Sequence, residues 1–260
     1  MYSEIKDKRV LITGGTKGIG AGIATGFLAA GAKVIVCGRK APDVLPEAAG
    51  QQAVFMPCDV RDIDSVQTLF HSIAEQFGQL DVLINNAGGS PFALADTASP
   101  RFHESILRLN LIAPLNMAQQ ANTMMQQQQN GGVILFISSI SAMRASPGTA
   151  AYGAAKAGIL SLVQSLAVEW APKVRVAAVS PGLVKTEQSY LHYGDDDGIA
   201  AVSATIPAGR MALPQDIANA CLFLASSQAA YASGSNLLLN GGGEMPAFLA
   251  AAKAQEQEQE

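Results

Sequence analysis

The sequence predicts an α/β fold: a single doubly wound domain around a central, mostly parallel seven-stranded sheet. Short runs of Val, Ile and Leu recur between longer segments of helical period, the pattern left by strands buried on both faces alternating with crossover helices. A glycine-rich turn, Thr13-Gly-Gly-Thr-Lys-Gly-Ile-Gly20, stands between the first such run and the first helical segment. The length of 260 residues, 49% of them hydrophobic and 15% charged, suffices for one large core, and neither a linker nor an internal repeat divides the chain.

In order, the pattern predicts strands over 9–13, 33–37, 53–57, 80–85, 132–138, 174–180 and 235–239, and helices over 18–30, 63–77, 99 to about 127, 151–170 and 214–226. Pro214 suits a first helical turn, where its missing N–H is no loss. Two places break the rhythm. A connection over about 183–211, with Asp195-Asp-Asp197, Gly194, Gly198 and Gly209, is too long for an ordinary loop and reads as a lid. From Glu244 a polar tail ends in alternating Gln and Glu, so the folded unit is placed at 1–243 and a mobile tail at 244–260.

Seventeen Lys plus Arg against 21 Asp plus Glu give a net charge of −4 with scattered bases, which argues against nucleic acid as a partner. Cys37, Cys58 and Cys221 form no CxxC spacing and cannot all pair, which favours a reducing compartment. The polar amino terminus runs straight into the first strand, and no apolar stretch is read as reaching the roughly 20 residues that span a bilayer. The expectation is a cytoplasmic protein with no membrane partner. His71, His103 and His192 show no ligand spacing, so no metal site is expected.

Glycines at 14, 18 and 20 let the turn adopt positive φ, let backbone approach an anion closely and expose the first N–H groups of the helix, which describes a phosphate cradle. The spacing Gly-x-x-x-Gly-x-Gly departs from GxGxxG, and tight strand-to-helix packing alone would also call for glycine. Tyr152 and Lys156, four apart, share one helix face, and a cation beside a phenol favours phenolate, lowering a pKa ordinarily near 10. Ser139 ends a strand thirteen residues earlier, at the sheet edge where open α/β folds bind ligands. Ser138 is its nearest competitor, with Ser141 behind.

Together with Asn85-Asn-Ala-Gly88 and Pro181-Gly182, these motifs resemble the short-chain dehydrogenase/reductase family over about residues 6–242. The resemblance implies a Rossmann-type domain in which Tyr152 donates a proton to a carbonyl as hydride arrives from nicotinamide. Ser139 would hold the carbonyl oxygen, Lys156 would bind the nicotinamide ribose and depress the Tyr152 pKa, and Asn110 would position a water leading to Lys156. It also implies cofactor contacts at Gly14, Thr16, Lys17, Gly18, Ile19 and Gly20 of the turn, and at Asp59 and Val60 near adenine. Asn85, Asn86, Ala87 and Gly88 would lie near the adenine ribose, and Pro181, Gly182, Val184 and Thr186 would border nicotinamide.

An acid at the end of the second strand would accept from a 2′-OH and repel a 2′-phosphate, but here the chain reads Cys37-Gly-Arg39. With Lys17 and Arg39 as phosphate partners, NADP(H) is expected, with NAD(H) possible; Arg39 could also stack on adenine. Tyr190, Leu191, His192, Tyr193, Ile199, Val202 and Ile206 suit a partly apolar carbonyl or alcohol substrate, such as a 3-oxoacyl thioester or a hydroxysteroid. Arg210 reads as structural, Met124-Met125 as packing, Gln126 to Gln129 as a polar helix end, and Trp170 as core or interface. Ala177 and Asn240 depart from the family's usual Asn and Asp, at positions that are mainly structural there. The family implies a homotetramer or homodimer, and a non-catalytic NADP(H)-binding sensor is the alternative of another class.

Overall fold

The computed structural model describes residues 3–248. Its strands are β1 (Arg9–Thr13), β2 (Lys33–Gly38), β3 (Glu47–Ala48), β4 (Gln51–Gln52), β5 (Val54–Pro57), β6 (Val82–Asn85), β7 (Gly132–Ile137), β8 (Val174–Pro181) and β9 (Asn236–Leu239). Its α-helices are α1 (Gly18–Ala29), α2 (Ile63–Phe77), α3 (Pro100–Leu107), α4 (Ala113–Gln127), α5 (Ala150–Glu169), α6 (Tyr190–Tyr193), α7 (Asp196–Ala204) and α8 (Pro214–Ala225). Seven strands form one sheet in the order β5-β2-β1-β6-β7-β8-β9, and every pairing is parallel. The expected seven strands are all present, with ends shifted by one or two residues, the scatter usual at element ends.

Alternation along the strands divides the core into two layers. Val10 and Ile12 of β1 face α1 and α8, while Leu11 between them faces α2, α4 and α5. Both faces are covered, so the strands read as unbroken apolar runs. Gly22 lets α1 approach α8 closely: a Cβ there would lie 2.2 Å from Cβ of Pro214, which stands in the first turn of α8 as expected. Asp62 caps α2 by accepting from Asp64 N, and Ser99 caps α3 by accepting from Phe102 N, so both helices start where a side-chain oxygen meets an orphan N–H.

Three differences from the sequence reading have physical reasons. The single helix expected from 99 to about 127 is broken by a π turn at Arg108–Ile112. Residue 114 is proline, so the Asn110 carbonyl has no N–H to accept four residues on, and the ladder widens there. A small hairpin, β3-β4, was not foreseen; its turn has positive φ at both Ala49 (52°) and Gly50 (73°), the geometry that suits the twist of a two-residue hairpin. Third, α5 is by length and composition apolar enough to cross a membrane, against the expectation that no stretch would be. Its Ile159, Val163 and Leu166 pack instead in the layer of α2 and α4, which accounts for that apolarity.

Between β8 and α8 the expected lid carries α6 and α7. Asp195 caps α7 by accepting from Gly198 N, with Asp196 and Asp197 in the first turn, where acids suit the helix dipole. Ile199 and Ile206 are buried with Met211 in a small separate cluster, and Val202 packs against it. Ile199, Val202 and Ile206 thus anchor the lid from within, whereas Tyr190 and Leu191 are exposed. Of the expected tail, Glu244 is held by an ion pair with Arg144 at 2.7 Å; residues 249–260 lie outside those described.

Candidate active site

Strand order reverses between β1 and β6, and this is where doubly wound sheets open a crevice at their carboxyl edge. The two sides of that crevice are clamped together. Thr13, which ends β1 and is buried, accepts at Oγ1 from the N–H groups of Asn86 (3.0 Å) and Ala87 (2.9 Å), while Asn86 Nδ2 donates to the carbonyls of Thr13 (2.9 Å) and Gly14 (3.2 Å). Gly20 is required by the same clamp: a Cβ there would lie 2.3 Å from the Gly14 carbonyl oxygen and 2.5 Å from Asn86 Nδ2. Asn86 thus shapes the glycine turn from behind. Asn85 does not reach the cleft as the resemblance implied; it is buried and donates to the Pro114 carbonyl at 3.2 Å, its own Oδ1 unpartnered among the described residues.

Gly14 and Gly18 have φ of 62° and 55°, and a Cβ on Gly18 would point toward Thr186 and Glu187 across the gap between α1 and the lid. Lys17 stands at the residue before α1 without a side-chain cap bond and is exposed, Thr16 is partly buried, and Ile19 packs against the first core layer. The Gly18 N–H donates to Glu187 Oε1 at 2.9 Å, a contact across 169 residues. At the far end Arg39 is exposed and Asp59 is gripped by Arg61, with Nε to Oδ1 at 3.0 Å and Nη2 to Oδ2 at 2.7 Å. The Arg61 hydrogen bonds, with a smaller contribution from Arg39, hold the Asp59 carboxyl down at about 2. Val60 beside it packs against the second core layer.

Tyr152 and Lys156 rise from the first turns of α5. The Tyr152 hydroxyl lies near Ser139, and the Lys156 ammonium sits 5.5 Å from the Tyr152 ring centroid while donating to the Ile137 carbonyl at 2.8 Å. Ser138 is spent elsewhere: its buried hydroxyl donates to the Lys156 carbonyl at 3.0 Å. Ser141 accepts from Ser146 at 3.2 Å, so of the three serines it is Ser139 that meets the tyrosine. Burial pushes the Lys156 ammonium down to about 8. It also raises the Tyr152 phenol above its ordinary value, with the Ser139 bond pulling the other way. Lys156 is not among the groups that set this balance.

Asn110 lies fully buried in the π turn. Its amide donates to the carbonyls of Gly89 and Ile106, both at 2.9 Å, and its Oδ1 accepts from Gly89 N at 2.8 Å. The side chain therefore straps the 85–89 loop, and with proline at 114 the backbone carbonyl of Asn110 has no α-helical donor. Gly88 lies against both groups: a Cβ would be 2.7 Å from Asn110 Oδ1 and 3.4 Å from Lys156 Nζ. On the other wall Gly182 N donates to the Leu239 carbonyl at 2.8 Å after buried Pro181, and Val184 packs on the first core layer. The Thr186 hydroxyl oxygen accepts from Gln188 N at 3.3 Å.

Thr13, Arg61, Arg144 and Glu187 were not singled out from sequence. Only Thr13, ending a strand immediately before a glycine turn, carried a local signal; the others act through residues distant in the chain or through a mate that any loop could hold. Arg210 is structural as expected, paired with Asp216 at 2.7 Å; Met125 is buried; and Gln128 does more than end a helix, exchanging two 2.9 Å bonds with the Leu80 backbone.

A family model described as enoyl-(acyl carrier protein) reductase matches residues 14–244. The 3alpha-hydroxysteroid dehydrogenase of Mediterraneibacter gnavus is 34% identical over 250 residues, 93% of this chain and 98% of that protein. The L-rhamnose 1-dehydrogenase (NAD(P)(+)) of Azotobacter vinelandii is 35% identical over 246 residues, 91% of this chain and 96% of that one. Among solved structures, Thermoplasma acidophilum aldohexose dehydrogenase in ligand-free form superposes with a TM-score of 0.86 at 30% identity, covering 93% of this chain and 96% of that chain. The fold and these relatives define a nicotinamide-dependent oxidoreductase working between CH–OH and C=O groups. The chain belongs to the short-chain dehydrogenase/reductase family.

Proposed function

We propose that this protein reduces a partly apolar ketone, or oxidises the matching secondary alcohol, with NADP(H) preferred over NAD(H). The observation that carries this reading is the buried Lys156 ammonium 5.5 Å from the Tyr152 ring centroid, with Ser139 beside the phenol. The fit to a dinucleotide rests on the positive-φ Gly14 and Gly18 at the start of α1 and the gap that a Gly18 Cβ would enter. The bound nicotinamide supplies or accepts the hydride. Ser139 orients the carbonyl oxygen, and Tyr152, kept protonated by burial, donates its proton to that oxygen. Lys156 holds the ribose hydroxyls, and the Asn110 carbonyl, lacking its i+4 donor, accepts from a water that resupplies the proton through Lys156.

Exposed Lys17 and Arg39 at the adenosine end, with no acid at the end of β2, support 2′-phosphate binding. The Asp59 carboxylate, already engaged by Arg61, keeps acceptor capacity for adenine. Exposed Val168 on α5, Phe223 on α8, Leu238 on β9 and Tyr231 ahead of that strand support self-association as a homodimer or homotetramer. The buried free thiols Cys37, Cys58 and Cys221 suit a reducing compartment such as the cytoplasm. The test is NADPH oxidation over ketones, diketones, steroids and 3-oxoacyl thioesters, with Tyr152→Phe alongside. Turnover abolished by the substitution establishes the chemistry and the substrate class; cofactor binding with no turnover favours the sensor.

A further inference from the structure

At the start of α1 the Gly18 N–H, one of the donors that a cofactor diphosphate would need, is already engaged by a carboxylate of this chain. Glu187 Oε1 accepts from it at 2.9 Å, and Glu187 belongs to the lid. Residue 187 sits in a turn of the lid held by two bonds: Thr186 N donates to Ser189 Oγ at 2.9 Å, and Gln188 N to Thr186 Oγ1 at 3.3 Å. A side chain on Gly18 would enter the same gap, with Thr186 Cγ2 at 3.7 Å and Glu187 Oε1 at 3.9 Å.

We propose that Glu187 is an internal anion that competes with the cofactor diphosphate for the Gly18 N–H, so that cofactor entry expels Glu187 and thereby moves the lid. This rests on the dinucleotide reading of the site. The competition is between like charges for one positive helix end, so the two anions cannot share it. Because the residue expelled is part of the lid, cofactor and lid position become coupled, and the substrate-facing segment is repositioned only once the cofactor has bound. Glu187 thus sets cofactor affinity and the order of binding without touching the reacting carbonyl.

The test measures NADPH binding by calorimetry, with 2′-AMP as a probe that reaches the adenosine end but carries no diphosphate, for wild type, Glu187→Gln and Glu187→Ala. Hydrogen exchange of cofactor-free protein is followed in parallel at Gly18 and over 186–206. The expected result is NADPH binding tightened roughly threefold to tenfold by Glu187→Ala and less by Glu187→Gln, which keeps an acceptor, with 2′-AMP unchanged. Faster exchange at Gly18 and in the lid should accompany it. Unchanged or weakened NADPH binding overturns the proposal, as does tightened binding with no change in exchange, which would be charge repulsion alone. Faster exchange with no NADPH binding in any of the three proteins overturns the dinucleotide reading, and the displacement with it, while the contact itself stands.

Discussion

The floor of the cleft is tied together by bonds between segments far apart in the chain, whereas the lid over 183–211 is tied mainly to itself. Thr13 to Asn86 and Ala87, Asn110 to Gly89, and Lys156 to Ile137 join β1, β6, the π turn, α5 and β7, mostly through buried atoms. In the lid, Tyr190 bonds Asp196, Asp195 bonds Gly198, and Ser203 bonds Ile199, none more than six residues away, over a cluster of three buried side chains. The difference teaches where variation is cheap. Of the groups proposed to move a proton, Lys156 and Asn110 are fixed by partners on β7, on α3 and in the loop after β6. The segment over 183–211 can change sequence without disturbing them, because its own bonds stay mainly within it.

The comparison can be broken or sharpened by substitution. The largest effect is expected for Tyr152→Phe, which keeps the ring and removes the proton: kcat should fall about 10²- to 10⁴-fold with NADPH affinity nearly unchanged. Next, Thr13→Val leaves the Asn86 and Ala87 N–H groups without their acceptor and should lower unfolding free energy by about 1–3 kcal/mol per stranded donor, read by urea denaturation. The third concerns Lys156, pushed down to about 8 when folded against about 10.4 in an unfolded chain. Between those values the unfolded chain holds a proton the folded one has released, so stability should rise with pH across that window in wild type relative to Lys156→Met. A flat difference curve would show that the ammonium is not paying for burial.

Smaller effects belong to the lid. Ile199→Ala should raise KM severalfold and speed hydrogen exchange over 196–206 while shifting the global urea midpoint little, because α7 opens locally. A midpoint shift as large as that of Thr13→Val would erase the distinction drawn here. Smallest of all, breaking the Arg144–Glu244 pair with Glu244→Gln should change stability by less than about 1 kcal/mol, both side chains being over a third exposed.

Much of this architecture was legible in the sequence because it is periodic or local: the apolar runs gave seven strands, and the Tyr152–Lys156 spacing gave one helix face. Position along the chain also separated Ser139 from Ser138, and the structure supplied the reason, since Ser138 is spent on the α5 backbone. The π turn was readable in principle from Pro114, whose missing donor frees the carbonyl four residues earlier. What could not be read was anything decided by a long-range balance. Glu187 on Gly18 and the direction of the Tyr152 shift depend on which groups meet in space, and on burial outweighing the Ser139 hydroxyl.

The fit of α1 against α8 has a consequence for how the chain is made. Gly22 and Pro214 touch across nearly two hundred residues, and Ile23, Ala24 and Phe27 share a core layer with Ile217, Ala218 and Cys221. At about 5–20 residues per second, a ribosome would need roughly 10–40 s between releasing one helix and releasing the other. Through that interval the apolar side of the nascent amino-terminal half has no native cover, and a holding chaperone would find its binding surface there.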